Sequence, residues 1–126
     1  MNNRRPYIAE TAIKPGCAVV QGSRDNMVKA PGSDGLGAVI GLYPFEANEE
    51  KASGEPVGIV LYGVAKALLG GDAQAGMLAA LKNDSSGTLV QLSASPGLNT
   101  IVGQFLEGGS AGDYVDVLIH VGIISI

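Results

Sequence analysis

A glycine-led turn recurs ahead of the apolar runs of this chain. Gly54-Glu55-Pro56-Val57 opens one run, Gly71-Asp72-Ala73-Gln74-Ala75-Gly76 leads into another, and Gly112-Asp113-Tyr114-Val115 opens the last. Glycine permits positive φ, and a following acid accepts hydrogen bonds from nearby backbone N–H groups, so each site reads as a turn feeding a strand. Glycine is 19 of 126 residues, roughly twice its ordinary share. Each glycine inside a helix costs about 1 kcal/mol relative to alanine. The chain is therefore expected to fold as a turn-dense β domain.

The length allows one hydrophobic core. Charged residues are 16% of the chain, against about 25% in an average soluble protein. A surface so poor in charge suggests that part of it is covered by a partner. Net charge −4 and a pI near 4.7 lack the basic footprint of a nucleic-acid binder. No apolar run approaches the roughly 20 residues of a membrane helix, and the polar, basic first residues do not read as a secretion signal. Neither direct nucleic-acid binding nor membrane insertion is expected. The single cysteine, Cys17, lies in the apolar run Cys-Ala-Val-Val and reads as a buried, inert thiol.

Residues 1–12, with the pair Arg4-Arg5, read as a flexible N-terminal arm in which Tyr7-Ile8-Ala9 is a short strand or an anchoring segment, and 13–126 as a single β domain. Runs over 17–21 and 27–29 flank the turn Gly22–Asn26 and form a predicted hairpin. Further strands are expected over 36–43, 57–62, 64–69, 88–92, 100–107 and 114–126, with Gly63 as a bend between two of them. In the run from Val57, the residues Val57, Ile59 and Leu61 point one way and Val60, Tyr62 and Val64 the other. Both faces are apolar, which predicts burial on both sides or contact with a partner. Alanine and leucine around Met77–Ala80 allow at most one short helical turn. The sum is an all-β fold of eight or nine short strands, a small barrel, sandwich or β-tulip-like assembly. Its edges stay exposed unless it closes or oligomerises.

Side chains for chemistry are sparse. The one histidine, His120, lies in the last apolar run, and its same-face neighbour Asp116 is roughly 13 Å away along an extended strand. His120 reads as a surface or interface residue. One His and one Cys fall short of a zinc set. Glu46, Glu49 and Glu50 share a loop without matching a calcium-loop pattern. The glycine-rich turns lack the Lys-Ser/Thr of a phosphate loop. No catalytic, cofactor-binding or metal-ligating residue is assigned, and no cofactor is expected. The stretch from Gly63 to Leu78 shares turn usage with lipoyl and biotinyl carrier domains. Lys82, in Ala-Leu-Lys-Asn-Asp, departs from the modified-lysine patterns of both. A small ligand-binding barrel or carrier-like module is the alternative reading.

The order of elements from Ile13 to Ile119 resembles the decoration, or head cement, proteins of tailed phages. The matching pieces are Ile13–Val20, Leu36–Gly41, Gly54–Val60, Ala75–Leu78, Ser86–Thr88, Ile101–Glu107 and Gly112–Ile119, spread over a span of about four-fifths of the chain. The resemblance implies a non-enzymatic structural virion protein that binds the outer surface of an assembled capsid and stabilises the shell. It also implies the major capsid protein as partner, self-association as a homotrimer, and synthesis in the host cytoplasm. The N-terminal segment would then contact the shell, through Arg4, Arg5, Tyr7 and Ile8.

Overall fold

Short runs rich in Val, Ile, Leu and Ala, each bounded by a turn, form ten strands among the described residues. The computed structural model describes residues 4–31, 39–44, 50–82, 86–92 and 98–125. The strands are β1 (Arg4–Ala9), β2 (Ala18–Gln21), β3 (Met27–Lys29), β4 (Val39–Leu42), β5 (Pro56–Val60), β6 (Gly63–Leu68), β7 (Leu78–Leu81), β8 (Leu89–Gln91), β9 (Leu98–Phe105) and β10 (Tyr114–Ser125). No helix occurs among the described residues. The fold is a small, single-domain, all-β structure.

The first five strands close into a barrel in the order β1-β3-β2-β4-β5. β1 runs parallel to β3 and antiparallel to β5, which seals the ring. The hairpin expected around Gly22–Asn26 is present as the antiparallel β2–β3 pair. The other five strands form a sheet in the order β6-β10-β9-β7-β8. A parallel bridge between Leu69 and Leu89 joins its two outermost strands.

These two halves are one design used twice. In each, the first strand pairs with the fifth, the fifth with the fourth, the fourth with the second and the second with the third. Parallel contact then joins first to third, Ala9 to Val28 in one half and Leu69 to Leu89 in the other. The irregularities repeat as well. Val19 and Val20 face Gly41 and Val39 across a register shift, and Ala79 and Ala80 face Gly103 and Ile101 across the same shift. Gly16 N–H donates to the Tyr43 carbonyl and Gly76 N–H to the Phe105 carbonyl, both at 2.7 Å. The antiparallel bridge Ile13–Lys51 has its counterpart in Ala73–Gly109.

The recurring turns are the corners of this repeat. Gly54 and Gly112, at φ 90° and 92°, each precede an acid. Glu55 Oε1 accepts the Ala52 N–H at 2.7 Å, and Asp113 Oδ2 accepts the Ser110 N–H at 2.9 Å. The positive φ requires glycine, and the acid satisfies a turn donor that has no strand partner.

The barrel packs around Tyr7, Ala9, Ile13, Val19, Val28, Tyr43, Val57 and Ile59. The equivalent positions of the second half are Ala67, Leu69, Ala73, Ala79, Leu89, Phe105, Val115 and Val117, and every one belongs to the other core cluster. Large and small residues change places between the copies, as in Tyr7 with Ala9 against Ala67 with Leu69. The copies thus keep apolar character at these positions while changing the residues. The second cluster also takes in Ala18, Leu42 and Val60 from the first half. The two units thus share apolar packing and form one domain.

One expectation is corrected and two are made more specific. Arg4–Ala9, read as part of a loose arm, is strand β1, held by five registered pairs with β5. The apolar alternation Tyr7-Ile8-Ala9 prevails over the polar residues before it. Met77–Ala80, where at most one short helical turn is expected, holds none, and Leu78–Leu81 is strand β7 between β8 and β9. There cross-strand pairing outweighs alanine's helical preference. In the run after Val57, expected to be buried on both sides or to contact a partner, both sides are apolar and burial is uneven, with Leu61 half-buried. Val57 and Ile59 are in the core, and on the other side Val60 is buried, whereas Tyr62 and Val64 are exposed.

Candidate functional site

Potential chemistry on the molecule is dispersed. Among the described residues no three His, Cys, Asp or Glu side chains converge on a metal position. Cys17 is buried as a free thiol, as its apolar setting predicts. Of the loop acids, Glu46 and Glu49 lie outside the described residues, and Glu50 is exposed. Lys82 is half-buried and its Nζ donates to the Gly70 carbonyl at 3.1 Å, so the amine is tied to the turn before β7.

Asp116 and His120 do not form a pair. Asp116 Oδ1 accepts Lys66 Nζ at 3.1 Å across the β6–β10 register, and Glu107 Oε1 lies 3.5 Å from the same ammonium. Glu107 Oε1 also accepts the Asp116 N–H at 2.8 Å. The hydrogen bond from Lys66 to Asp116 raises the lysine pKa above its usual value, with the charges of both carboxylates adding to it. The cluster is solvent-exposed and works as a surface brace. A second exposed brace joins Glu10 to Ser23, whose N–H donates to Glu10 Oε1 at 2.8 Å and whose hydroxyl donates to the same oxygen. Those two bonds hold the Glu10 carboxyl below its usual pKa.

The four residues expected to contact a capsid are brought together on β1 with different exposures. Arg4 and Arg5 are exposed, Ile8 is half-buried, and Tyr7 belongs to the barrel core. The Arg5 guanidinium lies over the Tyr7 ring at 5.2 Å from its centroid, a cation–π contact that orients the charge. The strand presents two cations at the surface, with Tyr7 supporting Arg5 from beneath.

A second surface was not singled out from sequence. Val64 on β6 faces Leu118 on β10, Leu118 faces Gln104 on β9, and Gln104 faces Leu78 on β7. These side chains form one cross-strand row on the outside of the second unit, with Val64 57% exposed and Leu118 39% exposed. Met77 and Leu78 are each 40% exposed beside it. Leu78, Ile101, Gln104, Leu118 and His120 line a shallow groove of about 110 Å³. His120 is exposed there, consistent with a surface residue. Gln104 Nε2 donates to the Gly76 carbonyl at 2.9 Å, which fixes the polar member of the row. The signal available in sequence was Leu118, an apolar residue on the face that also carries Asp116 and His120.

No known protein-family model matches the chain, and no curated protein matches it. Among solved structures, it resembles the N base of the head fiber gp8.5 of bacteriophage phi29. The TM-score is 0.61 at 17% identity, covering 93% of this chain and 92% of that one. At that identity the likeness is one of fold, and it extends over nearly the full length of both chains.

Proposed function

We propose that this chain is a structural protein of a phage virion that binds the outer surface of the assembled capsid and stabilises the shell. The observation that supports this most is the end-to-end likeness to a phage head-fiber base. It agrees with the element order by which the sequence resembles head decoration proteins. In this reading the partner is the major capsid protein, the chain self-associates as a homotrimer, and it is made in the host cytoplasm before joining the particle. No catalysis is assigned to it. Repetition of weak contacts over a lattice would raise effective concentration and hold each copy in place.

The capsid contact is assigned to the surface around β1. Arg4 and Arg5 supply charge, Tyr7 supports Arg5, and Ile8 contributes apolar area at the rim. Co-sedimentation with purified capsids tests the reading directly. The wild-type protein should pellet with expanded capsids in a saturable manner, and Arg4→Ala with Arg5→Ala should weaken that binding without altering the circular dichroism. Failure of the wild type to pellet would overturn the capsid assignment. Unchanged binding of the double variant would overturn the contact residues alone.

A further inference from the structure

The two units meet through different faces, and each leaves free the face that the other has used. The first unit is covered at Gly16, Cys17, Ala18 and Val60, which are all buried. Its cover comes from Leu68, Gly87 and Tyr114 of the second unit. Leu68 N–H donates to the Gly16 carbonyl and Ala18 N–H donates to the Gly87 carbonyl, both at 2.8 Å. A Cβ on Gly16 would stand 2.8 Å from the Tyr114 ring, and one on Gly87 would stand 3.0 Å from Cys17 Cβ.

The repeat shows where the same two faces lie uncovered. The positions equivalent to Gly16, Cys17, Ala18 and Val60 are Gly76, Met77, Leu78 and Leu118. Cys17, Ala18 and Val60 are 3%, 1% and 2% exposed, whereas Met77, Leu78 and Leu118 are 40%, 40% and 39% exposed. A Cβ on Gly76 would meet nothing within 4 Å. The counterparts of the covering residues Leu68, Gly87 and Tyr114 are Ile8, Asn26 and Pro56. With Pro6 and Tyr7, these three line an apolar groove of about 250 Å³ on the first unit.

We infer that the Met77–Leu78–Leu118 face of one molecule docks against the Ile8–Asn26–Pro56 face of a second copy of this chain, bringing together between molecules the faces equivalent to those that join the two units within one. The apolar residues at Met77, Leu78 and Leu118 correspond to positions that this chain buries wherever a cover exists. The complementary groove carries no charged side chain in its lining. Ile8 N–H already donates to the Asn26 carbonyl at 2.8 Å, so the contact between molecules is made by side chains. The association is head-to-tail, since the two faces differ, and it closes as a ring or continues as a chain. The inference stands on the internal repeat; the groove shares Tyr7 and Ile8 with the proposed capsid contact, so it is tested on free protein in the absence of capsids.

Complementing variants test it. Leu78→Asp with Leu118→Asp disables one face, and Asn26→Asp with Pro56→Asp disables the other; all four side chains are exposed. Size-exclusion chromatography with light scattering at about 100 µM, where a micromolar contact is largely formed, should give a wild-type mass above the monomer's 12.8 kDa. Each double variant alone should run as a folded monomer, and an equimolar mixture should form a dimer, because each contributes one intact face. If the first pair of substitutions disturbs the circular dichroism, Leu118→Gln replaces it with the same expectation. A monomeric wild type, a variant retaining the wild-type mass, or a mixture that stays monomeric would each overturn the inference.

Discussion

Gly41 and Gly103 make the same close approach in the two halves of the chain. A Cβ on Gly41 would collide with the Val60 carbonyl oxygen, and one on Gly103 with the Leu118 carbonyl oxygen. Val60 and Leu118 occupy equivalent places in the repeat, so both glycines are required by one geometry. Gly41→Ala and Gly103→Ala should each destabilise the fold by about 1–3 kcal/mol, the usual cost of forcing atoms into a packed site. Urea denaturation of the two variants measures it.

Gly16 and Gly76 separate backbone strain from crowding. Both have positive φ, 82° and 89°, for which an L side chain costs about 1–2 kcal/mol. Only Gly16 is crowded, with Leu68 N and the Tyr114 ring 2.8 Å from a built Cβ. Gly16→Ala should therefore lower the urea midpoint more than Gly76→Ala. Equal losses would mean that the second unit does not cover Gly16 in solution.

The shared core predicts one unfolding transition for both units. Ala18, Leu42 and Val60 of the first unit belong to the cluster that includes Phe105 and Val117 of the second. Phe105 is fully buried, and Phe105→Ala should cost about 3–5 kcal/mol. The loss should appear as a single shifted transition by both circular dichroism and tyrosine fluorescence. By contrast, Leu118→Ala should stay within about 0.5 kcal/mol of the wild type in the monomer, as an exposed position does.

Glu10 gives the stability a defined acid dependence. Its bonds from Ser23 hold the folded pKa below the usual 4.5. The resulting stabilisation is present above the unfolded value and is lost as pH falls through the folded pKa. Glu10→Gln should lower the melting temperature at pH 7, and the gap from wild type should narrow as the pH is taken below 4.5. Thermal melts of both proteins across that range provide the measurement.

Local chemistry made much of the architecture legible from sequence. The Gly22–Asn26 turn located the β2–β3 hairpin, and the glycine–acid pairs at Gly54-Glu55 and Gly112-Asp113 marked true corners. The repeat was hidden because the copies preserve geometry and apolar character more than residue identity. Tyr7 answers to Ala67, Ala9 to Leu69, and Cys17 to Met77, while the shared signal is reduced to glycines such as Gly41 and Gly103. A short strand at Tyr7-Ile8-Ala9 was legible, but the polar Arg4-Arg5 pair masked its extension back to Arg4. The row at Leu78 and Leu118 was illegible for another reason. An exposed leucine is informative only once its buried counterpart is known.

Ring closure also governs how this protein behaves when crowded. β1 has a strand on either side, and the Leu69–Leu89 bridge joins the outer strands of the second sheet. In the closed barrel, backbone groups that would otherwise template another chain are engaged within the molecule. Barrels of neighbouring copies brought to high density therefore meet through side chains, without zippering strand to strand. The fold is suited to being packed closely in many copies while each remains an individual, exchangeable part.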